Sequence, residues 1–236
     1  MEKCTVIFSA NAGISLTFGK ARIWIDAVHQ IRAKPFSAVS STLWEKMQNH
    51  DFFSSPDFIF FTHCHPDHYS KMLTEDAVAR WPQAKLILPE PEFSKQILLE
   101  HDEICFQSLE LSFRFFRLPH EGVQYASVPH YGLLISDGKF HILVAGDCEL
   151  ASPVLAERLH GIPVDLAILD FPWITLRKGR EFIQHVIHPE HLMIYHLPFA
   201  EDDLFGYRQA AKKSVNLLPE IPDIRLLKNA LQIEAI

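Results

Sequence analysis

The sequence predicts an α/β protein, a four-layer αββα sandwich, on three observations. It opens with alternating strands, passes near residue 40 into a helix–strand alternation, and after a stretch of hairpin patterning returns to that alternation. Strands at both ends, with each half closing in helices, fit two sheets face to face with helices on the outer faces. The 236 residues, 48% hydrophobic and 22% charged, suffice for one large domain with a sizeable core, expected to span 1–236. No repeat, low-complexity tract or Gly/Ser linker divides it.

The first strands are expected at Cys4 to Ser9, at Ile14 to Phe18, and, after a Gly19-Lys20 turn, at Ala21 to Ala27: a meander ending at Asp26. A helix follows around Ser41 to Asn49, then the apolar run Asp57 to Thr62, a helix from Lys71 to Trp81 and a strand from Ala84 to Leu88. Pro91 to His101 reads as a helix and Leu109 to Phe115 as an alternating strand. Gly132 to Ser136 and Lys139 to Ala145 flank Asp137-Gly138, residues suited to the positive φ of a two-residue type I′ turn. The rest gives a strand at Val164 to Asp170, a helix at Lys178 to Ile187, a strand at Leu192 to His196, a helix at Ala200 to Val215 and a last strand or pair from Ile224.

A net charge of −7 argues against generic binding to nucleic-acid backbone or anionic lipid. No apolar run approaches the ~20 residues of a bilayer span, and the first residues lack a secretory h-region, so a cytoplasmic protein is expected. The four cysteines form no CxxC pair and are expected to be reduced thiols.

Histidine is the outlier. Of 14 copies, three fall within the six residues His63-Cys64-His65-Pro66-Asp67-His68, directly after an apolar strand. Strand periodicity sets His63 and His65 on one side, while Pro66 ends the strand and turns Asp67 and His68 to a neighbouring point, so two adjacent metal positions can be served. Imidazole with carboxylate suits Zn²⁺, or Mn²⁺ and Fe, better than Ca²⁺ or Mg²⁺.

This stretch resembles the H-x-H-x-D-H signature of the metallo-β-lactamase superfamily, and further stations follow in order. Asp26, closing Arg22-Ile23-Trp24-Ile25, looks like the first-motif aspartate; His120 in Leu118-Pro119-His120-Glu121-Gly122 resembles the third-motif histidine. Asp147 in Val144-Ala145-Gly146-Asp147 resembles the fourth-motif bridging aspartate and His196 in Met193-Ile194-Tyr195-His196 the terminal histidine. His130, in Val128-Pro129-His130-Tyr131-Gly132, competes with His120. His120 is preferred because it ends an alternating strand and because the longer loop before the hairpin resembles the lactonase-like and N-acyl-phosphatidylethanolamine phospholipase-like branches. His130 is then a pocket residue and a candidate proton donor to the leaving group.

The resemblance implies that His63, His65 and His120 hold one divalent metal and Asp67, His68 and His196 a second, with Asp147 bridging and Asp26 orienting a ligand from behind. It implies a metal-dependent hydrolase in which a hydroxide shared by two cations ~3.5 to 4 Å apart attacks a small-molecule ester, lactone or phosphodiester. Two further activities occur on the same fold: an iron-dependent oxygenase, and a phosphodiesterase or nuclease acting on nucleic acid. The short spacing between motifs and the negative charge favour a small metabolite.

Blander readings apply elsewhere. Cys64 and Cys148 read as core packing, and His185, His188 and His191 as surface or helix-end residues. Arg177-Lys178-Gly179-Arg180 reads as a solvated helix start, with a substrate-anion anchor as the alternative.

Overall fold

Apolar alternation at the start of the chain becomes three antiparallel strands, β1 (Cys4–Phe8), β2 (Ile14–Phe18) and β3 (Ala21–Ile25). The computed structural model describes residues 3–31, 33 and 35–236. After β3 come α1 (Ser41–Gln48), β4 (Phe58–Phe60), α2 (Lys71–Arg80), β5 (Lys85–Leu88), β6 (Ile97–Leu98), β7 (Glu103–Ser108) and β8 (Leu111–Arg117). Then follow β9 (Tyr131–Ser136), β10 (His141–Val144), α3 (Pro153–Leu159), β11 (Leu166–Asp170), α4 (Pro172–Thr175) and α5 (Arg177–Phe182), the last running into a π-helical turn at Ile183–Ile187. The chain finishes with β12 (His191–Tyr195), α6 (Tyr207–Val215), β13 (Asp223–Leu226) and β14 (Ile233–Ala235).

Two compact units result. The first takes the chain through Glu100 together with His196–Phe205 and Lys228–Ile236; the second takes His101–Tyr195 and Gly206–Leu227. The first unit's sheet runs β14-β1-β2-β3-β4-β5-β6. From β3 onward its pairs are parallel, and parallel neighbours need crossovers, which α1 and α2 supply. Ser40 and Ser70 start these helices by accepting the amide hydrogens of Leu43 and Leu73. They lay Trp44, Met47 and Leu73 into a core around Trp24, whose ring meets Trp81 edge-on at 5.1 Å. Because β3 and β4 run parallel, the loops leaving them emerge at one edge of the sheet, where Asp26 and Thr62 to His68 follow directly.

The second unit's sheet runs β13-β12-β11-β10-β9-β8-β7. Strands β10 to β13 are parallel and β7 to β10 antiparallel, so Asp147 follows the carboxyl end of β10 and Asp170 closes β11.

Four local expectations are corrected. Pro91 to His101 is not a helix: Gln96 turns back to accept the amide hydrogens of Glu92 and Phe93, and Ile97–Leu98 then joins β5 as a parallel strand. The strand expected from Leu109 starts at Leu111, after β7, because Leu109 and Glu110 form a left-handed corner (φ +53° and +66°) that closes the β7–β8 hairpin. The β9–β10 connection pairs Ser136 with His141 and so spans Asp137 to Phe140 rather than two residues. There Asp137 accepts from the Lys139 and Phe140 amides, with Gly138 at φ +88°. The helix expected from Ala200 begins at Tyr207, because Asp202 is held in a buried hydrogen bond by Ser37.

Candidate metal centre

In the first unit the H-x-H-x-D-H segment leaves the end of β4 as a tight turn rather than as continued strand, with the amides of His68 and Tyr69 donating to the His65 carbonyl. The turn brings the His63 ring within 4.6 Å of His65 and 4.1 Å of His68, centroid to centroid. His196, just past β12, donates its amide to the Asn11 carbonyl, and its Nε2 lies 3.1 Å from His68 Nε2 and 3.7 Å from Asp67 Oδ2. Asp67, His68 and His196 each offer a ligand atom, all within 4.8 Å of one another. Two imidazoles and a carboxylate converging in this way fit a divalent transition metal.

Behind these donors lies a chain of hydrogen bonds. Asp26, with no exposed surface, accepts the Thr62 amide at 2.8 Å, the Thr62 hydroxyl at 2.7 Å and His68 Nδ1–H at 3.0 Å. Since the hydroxyl's single proton goes to the carboxylate, Thr62 Oγ1 accepts from His63 Nδ1, 3.0 Å away. Both rings are thereby set in the tautomer that leaves Nε2 to ligate a metal. Burial pushes the Asp26 carboxyl above its ordinary range, and the His68 and Thr62 hydrogen bonds pull it back. His29, fully buried beside this network, is held down to about 4, first by desolvation.

Three residues here occupy the left-handed region: Asn11 (φ +50°), Asp26 (+49°) and His196 (+59°). Such strain costs of order 1–3 kcal/mol per residue and collects at functional sites. Asn11 has no place in the sequence-derived set, yet its Nδ2 donates to the Asp67 carbonyl at 2.9 Å and reaches Asp67 Oδ2 at 3.3 Å. The available signal was an Asn in the small-residue corner Ser9-Ala10-Asn11-Ala12-Gly13, where left-handed backbone is affordable.

In the second unit His120 Nε2 lies 4.0 Å from Asp147 Oδ2, while its Nδ1 donates to the Glu121 carbonyl at 2.8 Å. The two segments are zipped together. The Glu121 amide donates to the Asp147 carbonyl, the Glu149 amide to Pro119, and the Leu150 amide to Glu121 Oε2, each at 2.8 Å. His130 is fully buried with its ring 5.5 Å from that of His120.

The remaining residues have ordinary roles. Burial pushes the thiols of Cys64 and Cys148 up, Cys64 packs against the first unit's core, and none of the four cysteines forms a disulfide among the described residues. His185 and His188 are exposed at the end of the π-helical turn, and His191 pairs with Asp223 at 2.9 Å. Arg177 pairs with Glu181, while Arg180 donates to the Ile174 and Thr175 carbonyls. No helix among the described residues is long and apolar enough to cross a membrane.

No curated protein matches in sequence. Among solved structures, the CmlA β-hydroxylase, a diiron enzyme from Streptomyces venezuelae, is similar over 100% of this chain at 14% identity with a TM-score of 0.70. The chain spans 54% of that protein's length. A protein named as a metal-dependent hydrolase from Parabacteroides distasonis matches with a TM-score of 0.67 at 17% identity, over 98% of this chain and 94% of that one. YhfI from Bacillus subtilis, a metallo-β-lactamase fold protein, matches with a TM-score of 0.64 at 12% identity, over 99% of each chain. These likenesses show the fold, two mixed sheets flanked by helices. The family model for the beta-lactamase superfamily domain matches residues 21–201, from the start of β3 past His196, and the chain therefore belongs to the β-lactamase superfamily.

Proposed function

We propose that the protein is a metal-dependent hydrolase acting on a small-molecule ester, lactone or phosphodiester. In this reading His63, His65 and His120 hold one divalent ion and Asp67, His68 and His196 a second, with Asp147 shared; Zn²⁺ is favoured, with Mn²⁺ or Fe as alternatives. The observation that supports it is the Thr62–Asp26 hydrogen-bond chain, which commits the His63 and His68 imidazoles to present Nε2, that of His68 beside Asp67 and His196. When bound, such a metal pair would supply Lewis acidity towards the carbonyl or phosphoryl oxygen, making the attached carbon or phosphorus more electrophilic, and would acidify water towards a pKa of ~7. The chain's own residues do the rest. Asp26 and Thr62 fix ring orientation, Asn11 holds Asp67 in place, and His130 is assigned the proton that the leaving group takes. The net charge of −7 supports a small substrate over nucleic acid.

Elemental analysis of the purified protein, followed by assay of the zinc- and manganese-loaded forms against lactones, aryl esters and phosphodiesters, tests this reading. Two equivalents of metal and turnover of at least one class are expected. Absence of bound metal, or silence on every class, overturns it. Iron with O₂ uptake, the chemistry suggested by the CmlA likeness, would redirect it to an oxygenase.

A further inference from the structure

Phe36 meets the His196 imidazole edge-on, ring centroids 4.3 Å apart at 89°, and remains half-buried. Its position is not left to a loose loop. The adjacent Ser37, 1% exposed, donates its hydroxyl to Asp202 Oδ2 at 2.8 Å and accepts the Phe199 amide at 2.8 Å, while its carbonyl lies 3.0 Å from His29 Nε2. A buried latch of this kind ties the segment carrying Phe36 to the segment that follows His196. Both segments show large apolar side chains to solvent: Ile31 is 62% exposed, Leu204 67% and Phe205 67%. The second unit carries a similar pairing, with Tyr125, 39% exposed, centred 5.0 Å from the His120 ring.

A site that accepted only small polar groups would gain nothing from an aromatic ring against its candidate ligand histidine, or from apolar side chains left in water on the two segments that the latch joins. Ligand sites of this composition use apolar walls for the non-reacting part of the ligand and a few polar groups for the reacting part. We infer that Phe36 is a specificity-determining residue, the wall against which the substrate lays an alkyl or aryl group adjoining its scissile bond. The inference deepens the hydrolase reading and rests on it for the word substrate, but the wall itself can be read without turnover.

The experiment pairs two measurements on the zinc-loaded protein. Calorimetric binding of butanoate, hexanoate, octanoate and decanoate reads the wall directly; hydrolysis of the aryl esters of the same acids reads it in the reaction. Each added methylene should raise affinity and kcat/KM by about two- to fourfold until the wall is covered, close to the ordinary transfer increment. Phe36→Ala should flatten both series with zinc content retained, and Phe36→Leu, which keeps an apolar surface, should restore most of the slope. A slope that Phe36→Ala leaves intact overturns the inference, as does wild-type binding that ignores chain length or is absent for every acid. A Phe36→Ala protein that sheds its zinc while Phe36→Leu retains zinc without the slope would make Phe36 a prop for His196 and also overturn it. Graded binding with no hydrolysis of any ester, lactone or phosphodiester sinks the hydrolase reading and leaves the wall standing; hydrolysis indifferent to chain length does the reverse.

Discussion

The Asp26 carboxylate receives His68 Nδ1–H at 3.0 Å with neither side chain exposed to solvent, so one buried acid sets the direction of the imidazole of one candidate metal ligand. An acceptor behind a ligating histidine typically contributes 10–100-fold, roughly, to metal affinity or activity. Asp26→Asn keeps the shape but offers His68 and Thr62 one acceptor oxygen instead of two. It should weaken zinc binding by about tenfold or more in competition with a chromophoric chelator; unchanged affinity would remove Asp26 from the site.

Thr62→Val is isosteric and deletes only the hydroxyl that links His63 to Asp26. Zinc affinity should fall by about tenfold, and stability by about 1–3 kcal/mol for the buried ring nitrogen left without its acceptor. Thr62→Ser restores the hydroxyl and should recover most of both. If valine and serine behave alike, the hydrogen-bond chain has no role.

Asn11→Gly tests side chain apart from backbone, because glycine accepts the left-handed conformation that alanine would strain. Asp67 would lose its Nδ2 contact. The expected result is a rise in the zinc dissociation constant of about tenfold, with the circular dichroism spectrum unchanged.

Glu121→Ala removes the acceptor of the Leu150 amide and loosens the strip that carries His120 and Asp147. Stability should drop by about 1–2 kcal/mol in urea denaturation. Glu121→Gln, which keeps an acceptor oxygen, should lie close to wild type.

His29 gives a pH signature of definite sign. Held down to about 4 in the folded protein by burial, against 6.5 for the free side chain, it is neutral where the unfolded chain already takes up a proton. Stability should therefore be lost as pH falls from about 6.5 to about 4, by about 3 kcal/mol at full extent, and this contribution levels off below that window. In chelator-stripped protein, His29→Leu should show a shallower acid limb than wild type when urea midpoints are compared at pH 7, 5.5 and 4. Parallel limbs would refute the assignment.

The parts of the fold and site that could be read from the sequence are those written in short-range pattern. His63 to His68 is a dense local motif, and Asp26, Asp147 and His196 each follow an apolar strand. Asn11 could not be found this way, since its role depends on Asp67 and His196, remote in sequence and brought beside it by folding. The segment from Pro91 misled because Phe93, Ile97 and Leu98 mimic helical spacing, whereas Gln96 and the edge of β5 decide its path. Residues 200–206 misled for a similar reason: helix propensity lost to the buried Ser37–Asp202 hydrogen bond.

The pairing of Thr5 with Ala235 has a consequence for biosynthesis. β1 lies between β2 and β14, which is made long after it, so until Ile233–Ala235 has been synthesised β1 has an open backbone edge. Nascent chains must keep that edge from pairing with a neighbour, and final closure has to wait for a contact of very long loop length, which slows folding. A C-terminal truncation that removes β14 should leave secondary structure largely intact yet produce a protein that aggregates.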